Sequence, residues 1–178
     1  MKDKILKTAL QLIEELGWPE LSFTDIASRA GVTLDQVYSA FPEKDSIITA
    51  FAQLLDKETL KNVEKFSEND TYRDKLFSVL MTRFDVAANY KGAIRRLWQN
   101  PLLAISTAPQ GVHSMVWMLE AAQIDVSGAA GVIKAQLFGV FYLTAVNTWL
   151  HDESPDLAET MAYIDRGLER LEMVPGFY

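Results

Sequence analysis

Two helix-start signals, eleven residues apart, constrain the fold of this chain more than any other feature of its sequence. Ser22 is followed three residues later by Asp25, and Thr33 is followed at the same spacing by Gln36. In such a pair the hydroxyl accepts a hydrogen bond from the first turn of a helix, and the second side chain reaches back to the capping residue. Gly31 lies between the two signals and permits a tight turn. The sequence therefore predicts two short helices joined by a turn, which is a helix-turn-helix.

The remainder of the chain also has helical periodicity. Apolar residues recur at helical spacing, and no strand signal stands out. The first predicted helix ends at Gly17, the next long one runs from about Lys44 to Lys65, and another follows the polar break at Ser67 to Thr71 and runs to about Tyr90. Further helices are predicted from Val112 to Gln123, over about 20 residues ending near His151, and from Pro155 to about Leu171. A shorter segment begins at Gly92, and Pro101, Pro109 and Gly111 interrupt the middle of the chain. We therefore expect an all-α protein.

Charge limits the classes of function that the chain can have. The 178 residues include no cysteine and carry a net charge of −7, so disulfides and cysteine nucleophiles are excluded. Between Met1 and Asp45, five basic residues face eight acidic ones, which gives this segment a net charge of −3. Proteins that bind nucleic acid usually show a basic patch. The charge therefore argues against a general nucleic-acid binder.

Signals of catalysis are weak. The two histidines, His113 and His151, lie 38 residues apart, and the sequence has no HExxH, no GxSxG and no glycine-rich phosphate loop. We predict neither an enzyme nor a cofactor or metal site. The charged first residues do not resemble a signal peptide, and no uninterrupted apolar run reaches the roughly 20 residues that span a bilayer. We expect a soluble cytoplasmic protein without stable membrane insertion.

The stretch from Phe23 to Lys44 resembles the DNA-binding domain of the TetR family of transcriptional regulators. The matching residues are Thr24, Ile26, Ala27, Ala30-Gly31-Val32-Thr33, Val37-Tyr38, Phe41 and Lys44. The resemblance implies a TetR-like, all-α fold. It has an N-terminal three-helix DNA-binding domain of residues 1–45 and a C-terminal helical ligand-binding and dimerisation domain of residues 46–178. It also implies a homodimer that binds a palindromic operator in double-stranded DNA.

The resemblance assigns roles to individual residues of the helix-turn-helix. It implies that phosphates are contacted by Thr24, Thr33, Tyr38 and Lys44. It implies that bases or the groove are faced by Leu34, Asp35, Gln36 and Ser39. Asp35 and Gln36 stand where the family usually has small residues, and Asp35 would repel phosphates. A three-helix scaffold that binds no DNA is therefore the alternative.

Aromatic and methionine side chains in the middle helices can form either a core or the wall of a ligand pocket. The candidate ligand-binding residues are Arg95, Trp98, His113 and Trp117. The ligand would be small and apolar, and a lipid is one candidate. The last two predicted helices would form the homodimer interface through apolar faces that contain Leu137, Phe141, Ala145, Leu168 and Leu171.

The segment from Trp149 to Val174 resembles a second family, the lipid-binding accessory protein of ubiquinone biosynthesis, which itself has a TetR-like fold. The matching residues are Asp152, Ser154-Pro155-Asp156, Thr160, Asp165 and Arg166. This resemblance implies an alternative function, a lipid-binding accessory protein that does not bind DNA. A local interpretation of the same residues is that Ser154 caps the last helix, Pro155 takes its first position and Asp156 favours its positive end.

Overall fold

The computed structural model describes residues 1–100, Leu103 and residues 108–178, and every regular element in these ranges is a helix. The helices are α1 (Lys2–Leu16), α2 (Phe23–Ala30), α3 (Leu34–Ala40), α4 (Asp45–Asn62), α5 (Tyr72–Ala88), α6 (Lys91–Trp98), α7 (Ala108–Ala121), α8 (Gly128–His151) and α9 (Ala158–Glu172). The prediction of an all-α protein is confirmed. Helix α7 begins four residues before its predicted start, and Pro101 lies outside the described residues.

Packing divides the chain into two compact units. The first unit consists of Met1–Leu54 and Ala88–Gln110. In this unit α1 packs against α2 and α6, and α2 packs against α3. The side chains that form its core include Ile5, Ile13, Ile26, Val37, Phe41 and Ile47, which are all at most 1% exposed. This core holds the helix-turn-helix against α1.

The two predicted helix-start signals act as caps. The backbone N–H of Asp25 donates to the hydroxyl of Ser22 (3.1 Å). Thr33 and Gln36 form a complete capping box, with N–H groups donating to Thr33 Oγ1 at 3.3 Å and to Gln36 Oε1 at 2.9 Å. The carboxylate of Asp25 instead accepts from the Ser22 hydroxyl, so it does not close a capping box of the Thr33 type. Gly31 takes the left-handed conformation (φ 64°) that the turn requires.

The second unit consists of Leu55–Ala87 and Gly111–Tyr178. It contains the rest of α4 together with α5, α7, α8 and α9, and α8 packs along α9. Its fully buried side chains include Leu80, Phe84, Leu119, Phe138, Trp149 and Leu168. The rings of Phe84 and Trp149 lie 5.4 Å apart at their centroids. Aromatic residues of the middle helices therefore form much of the core of this unit.

The predicted start of the last helix at Pro155 is wrong, because α9 begins at Ala158. Its free N–H groups are capped from further upstream. The Ala158 N–H donates to Ser154 Oγ at 2.9 Å, and the Thr160 N–H donates to Asp152 Oδ2 at 2.8 Å. Burial alone would raise the pKa of Asp152, but hydrogen bonds from Ser154 and Thr160 outweigh it and hold this pKa far below its usual range. Asp152 thus joins the end of α8 to the start of α9.

The residues predicted to form the dimer interface are only partly available to a partner. Ala145, Leu168 and Leu171 are at most 8% exposed within one chain, so their assignment to an interface is wrong. Phe141 is half-buried and stacks on Tyr163. The apolar side chains that α8 exposes are Val132, Ile133, Leu137, Val140 and Leu143, which are 40–68% exposed. These five residues are called the α8 apolar face below.

Within the described ranges, α8 is the one helix that is long and apolar enough to cross a membrane by length and composition. This is weak support for a membrane span, because helices in the core of a soluble protein can have the same length and composition. The helix contains Lys134, Gln136 and Asn147, which interrupt its apolar character. The predicted absence of a membrane-inserted segment stays a prediction.

Candidate nucleic-acid interface

Helix α3 has one buried face and one exposed face. Val37 is fully buried, whereas Leu34 is 52% exposed and Tyr38 is 60% exposed. Leu34 and Tyr38 are four residues apart and therefore share a side of the helix, one turn above the other. Asp35 and Ser39 are also exposed. A short helix that is packed on one face and exposes two large side chains on the other is suited to contact another molecule.

Most of the residues predicted to contact DNA are accessible. The exposed ones are Thr24, Thr33, Leu34, Asp35, Tyr38 and Ser39. Gln36 and Lys44 are half-buried, and both have hydrogen-bond partners within the chain. The predicted surface therefore exists, but three of its eight residues, Thr33, Gln36 and Lys44, also stabilise the unit that carries it.

Gln36 uses its amide oxygen in the helix cap. The oxygen accepts from the backbone N–H of Thr33, so the amide NH₂ is the group that remains for another partner. A bidentate contact with adenine requires the oxygen and the NH₂ together. In this conformation Gln36 can offer only one of the two, and a bidentate contact would require the cap to open.

Lys44 lies at the start of α4 and holds that helix to the loop after α1. Its ammonium donates to the carbonyl oxygens of Trp18 (2.5 Å) and Pro19 (3.4 Å) and lies 4.7 Å from the centroid of the Trp18 ring. Burial lowers the pKa of Lys44, while Asp45 and Glu20 oppose this shift. An ammonium has three N–H donors. Two point at carbonyl oxygens, so one is left for a phosphate.

The other basic groups near the helix-turn-helix add little free positive charge. Arg29 forms a bidentate ion pair with Glu15, with both N–O distances 3.0 Å, and this hydrogen bonding lowers the pKa of the Glu15 carboxyl. Lys2 lies 5.3 Å from the centroid of the Phe41 ring, at the end of α3. Arg29 is paired with Glu15, whereas Lys2 lies beside the end of α3 and has no ion-pair partner in the described part of the chain.

The predicted ligand-binding residues fall on two helices. Arg95 and Trp98 are exposed on α6, in the first unit. His113 and Trp117 lie on α7, in the second unit, where the indole Nε1–H of Trp117 donates to His113 Nε2 at 2.8 Å. The structure thus joins His113 and Trp117 directly. The role of all four residues in ligand binding stays a prediction.

A buried polar cluster in the second unit was not expected from the sequence. Arg83 Nη1 donates to Asp56 Oδ1 at 2.6 Å, and Arg83 Nε donates to the Tyr142 hydroxyl at 2.9 Å. Ser114 completes the cluster by donating to Asp56 Oδ2 at 2.8 Å. The side chains of Arg83 and Asp56 are only 4% and 9% exposed. Burial disfavours the charged form of Arg83, but Tyr142 and Asp56 together raise its pKa.

One signal in the sequence could have revealed this cluster. Arg83 lies between Leu80 and Ala87 on the apolar face of α5, where a solvated arginine would not be expected. Lys and Arg are almost never fully buried unless they have a partner. A charged residue in the middle of an apolar stripe therefore indicates a buried partner, although the sequence alone does not identify Asp56.

Comparison with known proteins shows which class of protein the chain is similar to. Residues 5–51 match the family model described as bacterial regulatory proteins, tetR family. The HTH-type transcriptional regulator BetI of Stenotrophomonas maltophilia (strain R551-3) is 24% identical over 99 residues, which are 54% of this chain and half of that relative. The structure of a TetR transcriptional regulator from Nitrosomonas europaea ATCC 19718 has a TM-score of 0.76 at 24% identity and covers 96% of both chains. A TetR transcriptional regulator from Rhodococcus sp. RHA1 has a TM-score of 0.70 at 18% identity, over 97% of this chain and 95% of that one.

The fold and the exposed third helix define a helix-turn-helix protein. The match of residues 5–51 makes this segment similar to the DNA-binding domain of the tetR family of bacterial regulatory proteins. At these identities the solved structures establish the fold, and the predicted TetR-like fold is confirmed. These matches favour the predicted TetR-family regulator over an enzyme. The alternative of a lipid-binding accessory protein is not favoured by these relatives.

Proposed function

We propose that this protein is a cytoplasmic transcriptional regulator that binds a palindromic operator as a homodimer, under the control of a small, mainly apolar ligand. The observation that supports this proposal most directly is the exposed face of α3. Leu34 and Tyr38 are more than half exposed there, although Val37 on the other side of the helix is fully buried. In this proposal residues 1–45 form the DNA-binding domain and residues 46–178 form the regulatory and dimerisation domain.

The contacts with DNA follow from the chemistry of the α3 face. Leu34 can pack against a thymine methyl group, and Asp35 can accept a hydrogen bond from cytosine N4. Ser39 would lie at the edge of the groove. The hydroxyl groups of Thr24, Thr33 and Tyr38 can donate to phosphates, and Lys44 has one remaining N–H for the same purpose. The three hydroxyl groups are neutral donors, which position a protein on DNA without adding much salt-dependent affinity.

The homodimer would form by covering the α8 apolar face with the same surface of a second chain. A symmetric dimer presents two copies of α3, and both can bind only when their separation matches half-sites about one helical turn of DNA apart, roughly 34 Å. A ligand that prefers one separation shifts the population toward it, by no more than its difference in affinity for the two states. In this way a ligand can regulate binding of DNA.

The proposal is tested by selection from a random pool of double-stranded oligonucleotides at low salt, with the purified chain and no added ligand. We expect enrichment of a palindrome with half-sites one helical turn apart. The double variant Leu34→Ala/Tyr38→Ala should lose the enrichment. The matched control is Gln11→Ala, which changes an exposed residue of α1 away from the α3 face and should keep it. No enriched motif with the wild-type chain would overturn the regulator proposal.

A further inference from the structure

We propose that a cleft beside the buried Arg83 binds a small, neutral and mostly apolar molecule that presents one hydrogen-bond acceptor, such as a carbonyl oxygen, to the guanidinium. This inference rests on the proposed ligand-controlled function and names the chemical class of the ligand. The cleft belongs entirely to the second unit, where α4, α5 and α7 surround it.

The shape of the cleft limits what can enter. The space that a water-sized sphere can occupy in the cleft is about 10 Å³, and the cleft is lined by Asp56, Thr59 and Arg83 among others. A volume of this size holds about one water molecule. Leu60 and Trp117 also line the cleft, and each is 41% exposed. A single polar atom therefore fits at the bottom, while the apolar remainder of a ligand would lie against Leu60 and Trp117.

The hydrogen bonds of the cluster identify the donor. Arg83 uses Nε for Tyr142 and Nη1 for Asp56. Its Nη2 has no hydrogen-bond partner in the described part of the chain. The Thr59 hydroxyl donates to the carbonyl of Leu55 at 2.7 Å and so is not a free donor. The cleft thus offers one N–H donor group of Arg83 that no group in the described part of the chain uses.

The charge of the cluster selects a neutral acceptor. Asp56 already balances Arg83, at a distance of 2.6 Å. A carboxylate in the cleft would add a second negative charge close to Asp56, with no cation left to compensate it. An ammonium group would instead face the guanidinium. Burying an uncompensated charge is far more costly than burying a neutral carbonyl that accepts one hydrogen bond. The cleft should therefore reject both ions.

The binding test uses four probes that share a benzene ring: acetophenone, ethylbenzene, benzoate and benzylamine. Binding to the wild-type chain is followed by NMR, through the side-chain N–H signals of Arg83 and Trp117, without DNA. We expect acetophenone to bind roughly tenfold more tightly than ethylbenzene, since it adds one hydrogen bond to a charged donor. Benzoate and benzylamine should bind more weakly than acetophenone. Equal or tighter binding of benzoate, or no shift of either signal with acetophenone, would overturn the proposal.

Three variants separate this site from a general effect on folding. Arg83→Lys keeps a cation beside Asp56 but removes Nη2, so the preference for acetophenone over ethylbenzene should disappear. Tyr163→Phe is the matched control, because it removes a hydroxyl that donates to Thr144 in the same unit, away from the cleft lining, and it should keep the preference. Trp117→Ala should weaken the binding of both acetophenone and ethylbenzene while leaving the ratio of their affinities unchanged. If Arg83→Lys has the same ratio of affinities for acetophenone and ethylbenzene as the wild type, the proposal is overturned. If Arg83→Lys does not fold, a change of this ratio in Trp117→Ala would overturn the proposal instead. Because the assay contains no DNA, its failure is distinct from failure of operator selection.

Discussion

Gln36 illustrates how one residue of the helix-turn-helix can serve the fold rather than the reading of DNA. Its amide oxygen closes the capping box at the start of α3. Replacing such a capping partner costs about 1 kcal/mol. We therefore expect Gln36→Ala to lower the melting temperature by about 2–4 °C and to leave the selected operator motif unchanged.

The control for this prediction is Gln36→Glu, in which a carboxylate oxygen replaces the amide oxygen and can accept from the Thr33 N–H. This variant should have the melting temperature of the wild type. Thermal unfolding and operator selection are measured on the same three proteins. A relaxed preference at one base pair per half-site in Gln36→Ala, with unchanged stability, would show that Gln36 reads a base.

Asp152 makes stability depend on pH. Its pKa is held below the value near 3.9 that an aspartate has in an unfolded chain, so the carboxylate is stabilising above that pH. The stabilisation is lost as the pH falls below about 4 and protons bind the unfolded chain first. Asp152→Asn should cost roughly 1–3 kcal/mol at pH 7, because hydrogen bonds to a charged acceptor are lost.

Denaturant unfolding of the wild-type chain and Asp152→Asn from pH 7 down to pH 3 checks this sign. The difference in the free energy of unfolding should shrink as the pH falls. Asp156→Asn is the control, since Asp156 lies in the exposed turn nearby, and it should change stability little at any pH. A difference that is constant with pH would contradict the role given to the Asp152 carboxylate.

The sequence predicted the contacts between residues that are close together in the chain. The caps at Ser22 and Thr33 depend on residues three positions away, and the turn at Gly31 requires only a backbone without a Cβ. The contact between Asp56 and Arg83 joins residues 27 positions apart, and no local pattern specifies such a pairing. Lys44 shows the same limit, since nothing near it indicates that its ammonium bonds to Trp18.

At the scale of a helix, α8 shows where periodicity fails. A helix that is apolar almost all round has no single hydrophobic stripe. The sequence therefore predicted that α8 would pack, but it assigned buried Ala145 to the surface for a partner. The tertiary packing of α9 decides which apolar side chains remain uncovered, and its start at Ala158 was misplaced because Pro155 is a common first residue of a helix.

The α8 apolar face gives a prediction about assembly. Val140 and Leu143 are 68% and 52% exposed at its centre. Light scattering at micromolar concentration should give the wild-type protein about twice the 20.0 kDa mass of one chain. Val140→Asp/Leu143→Asp should give a monomer, because burying two unpaired carboxylates opposes association.

Val112→Glu serves as the control for this experiment. Val112 is also an exposed apolar residue, 44% exposed, but lies on α7 rather than on the α8 apolar face. The control should remain a dimer. A wild-type chain that is monomeric at these concentrations would remove the proposed interface and the regulation that depends on it.

For the whole molecule, the proposed binding of DNA should respond to salt in a way that depends on the ion pair of Arg29 with Glu15. Each phosphate neutralised by a lysine or arginine contributes roughly −0.9 to the slope of log affinity against log salt concentration. With Lys44 partly engaged and Arg29 paired, the slope for the dimer should be shallow, about −2 to −5. Lys2 and Lys4 are the remaining nearby cations.

Glu15→Gln frees the charge of Arg29 and should steepen this slope by up to about 2 per dimer. Glu14→Gln makes the same change in net charge one residue away, without removing the partner of Arg29, and should leave the slope close to that of the wild type. Titrations of the selected operator at several salt concentrations measure both. Equal slopes in the two variants would mean that Arg29 does not approach the phosphates.

The buried pair of Asp56 and Arg83 also restricts the paths by which this sequence can evolve. Loss of either partner leaves an uncompensated buried charge, which costs about 3–5 kcal/mol, whereas a whole domain is stable by only about 5–15 kcal/mol. Joint replacement by apolar residues is often neutral. The least costly way to leave this state is therefore a change at both positions, and we expect close relatives to have both residues or to lack both.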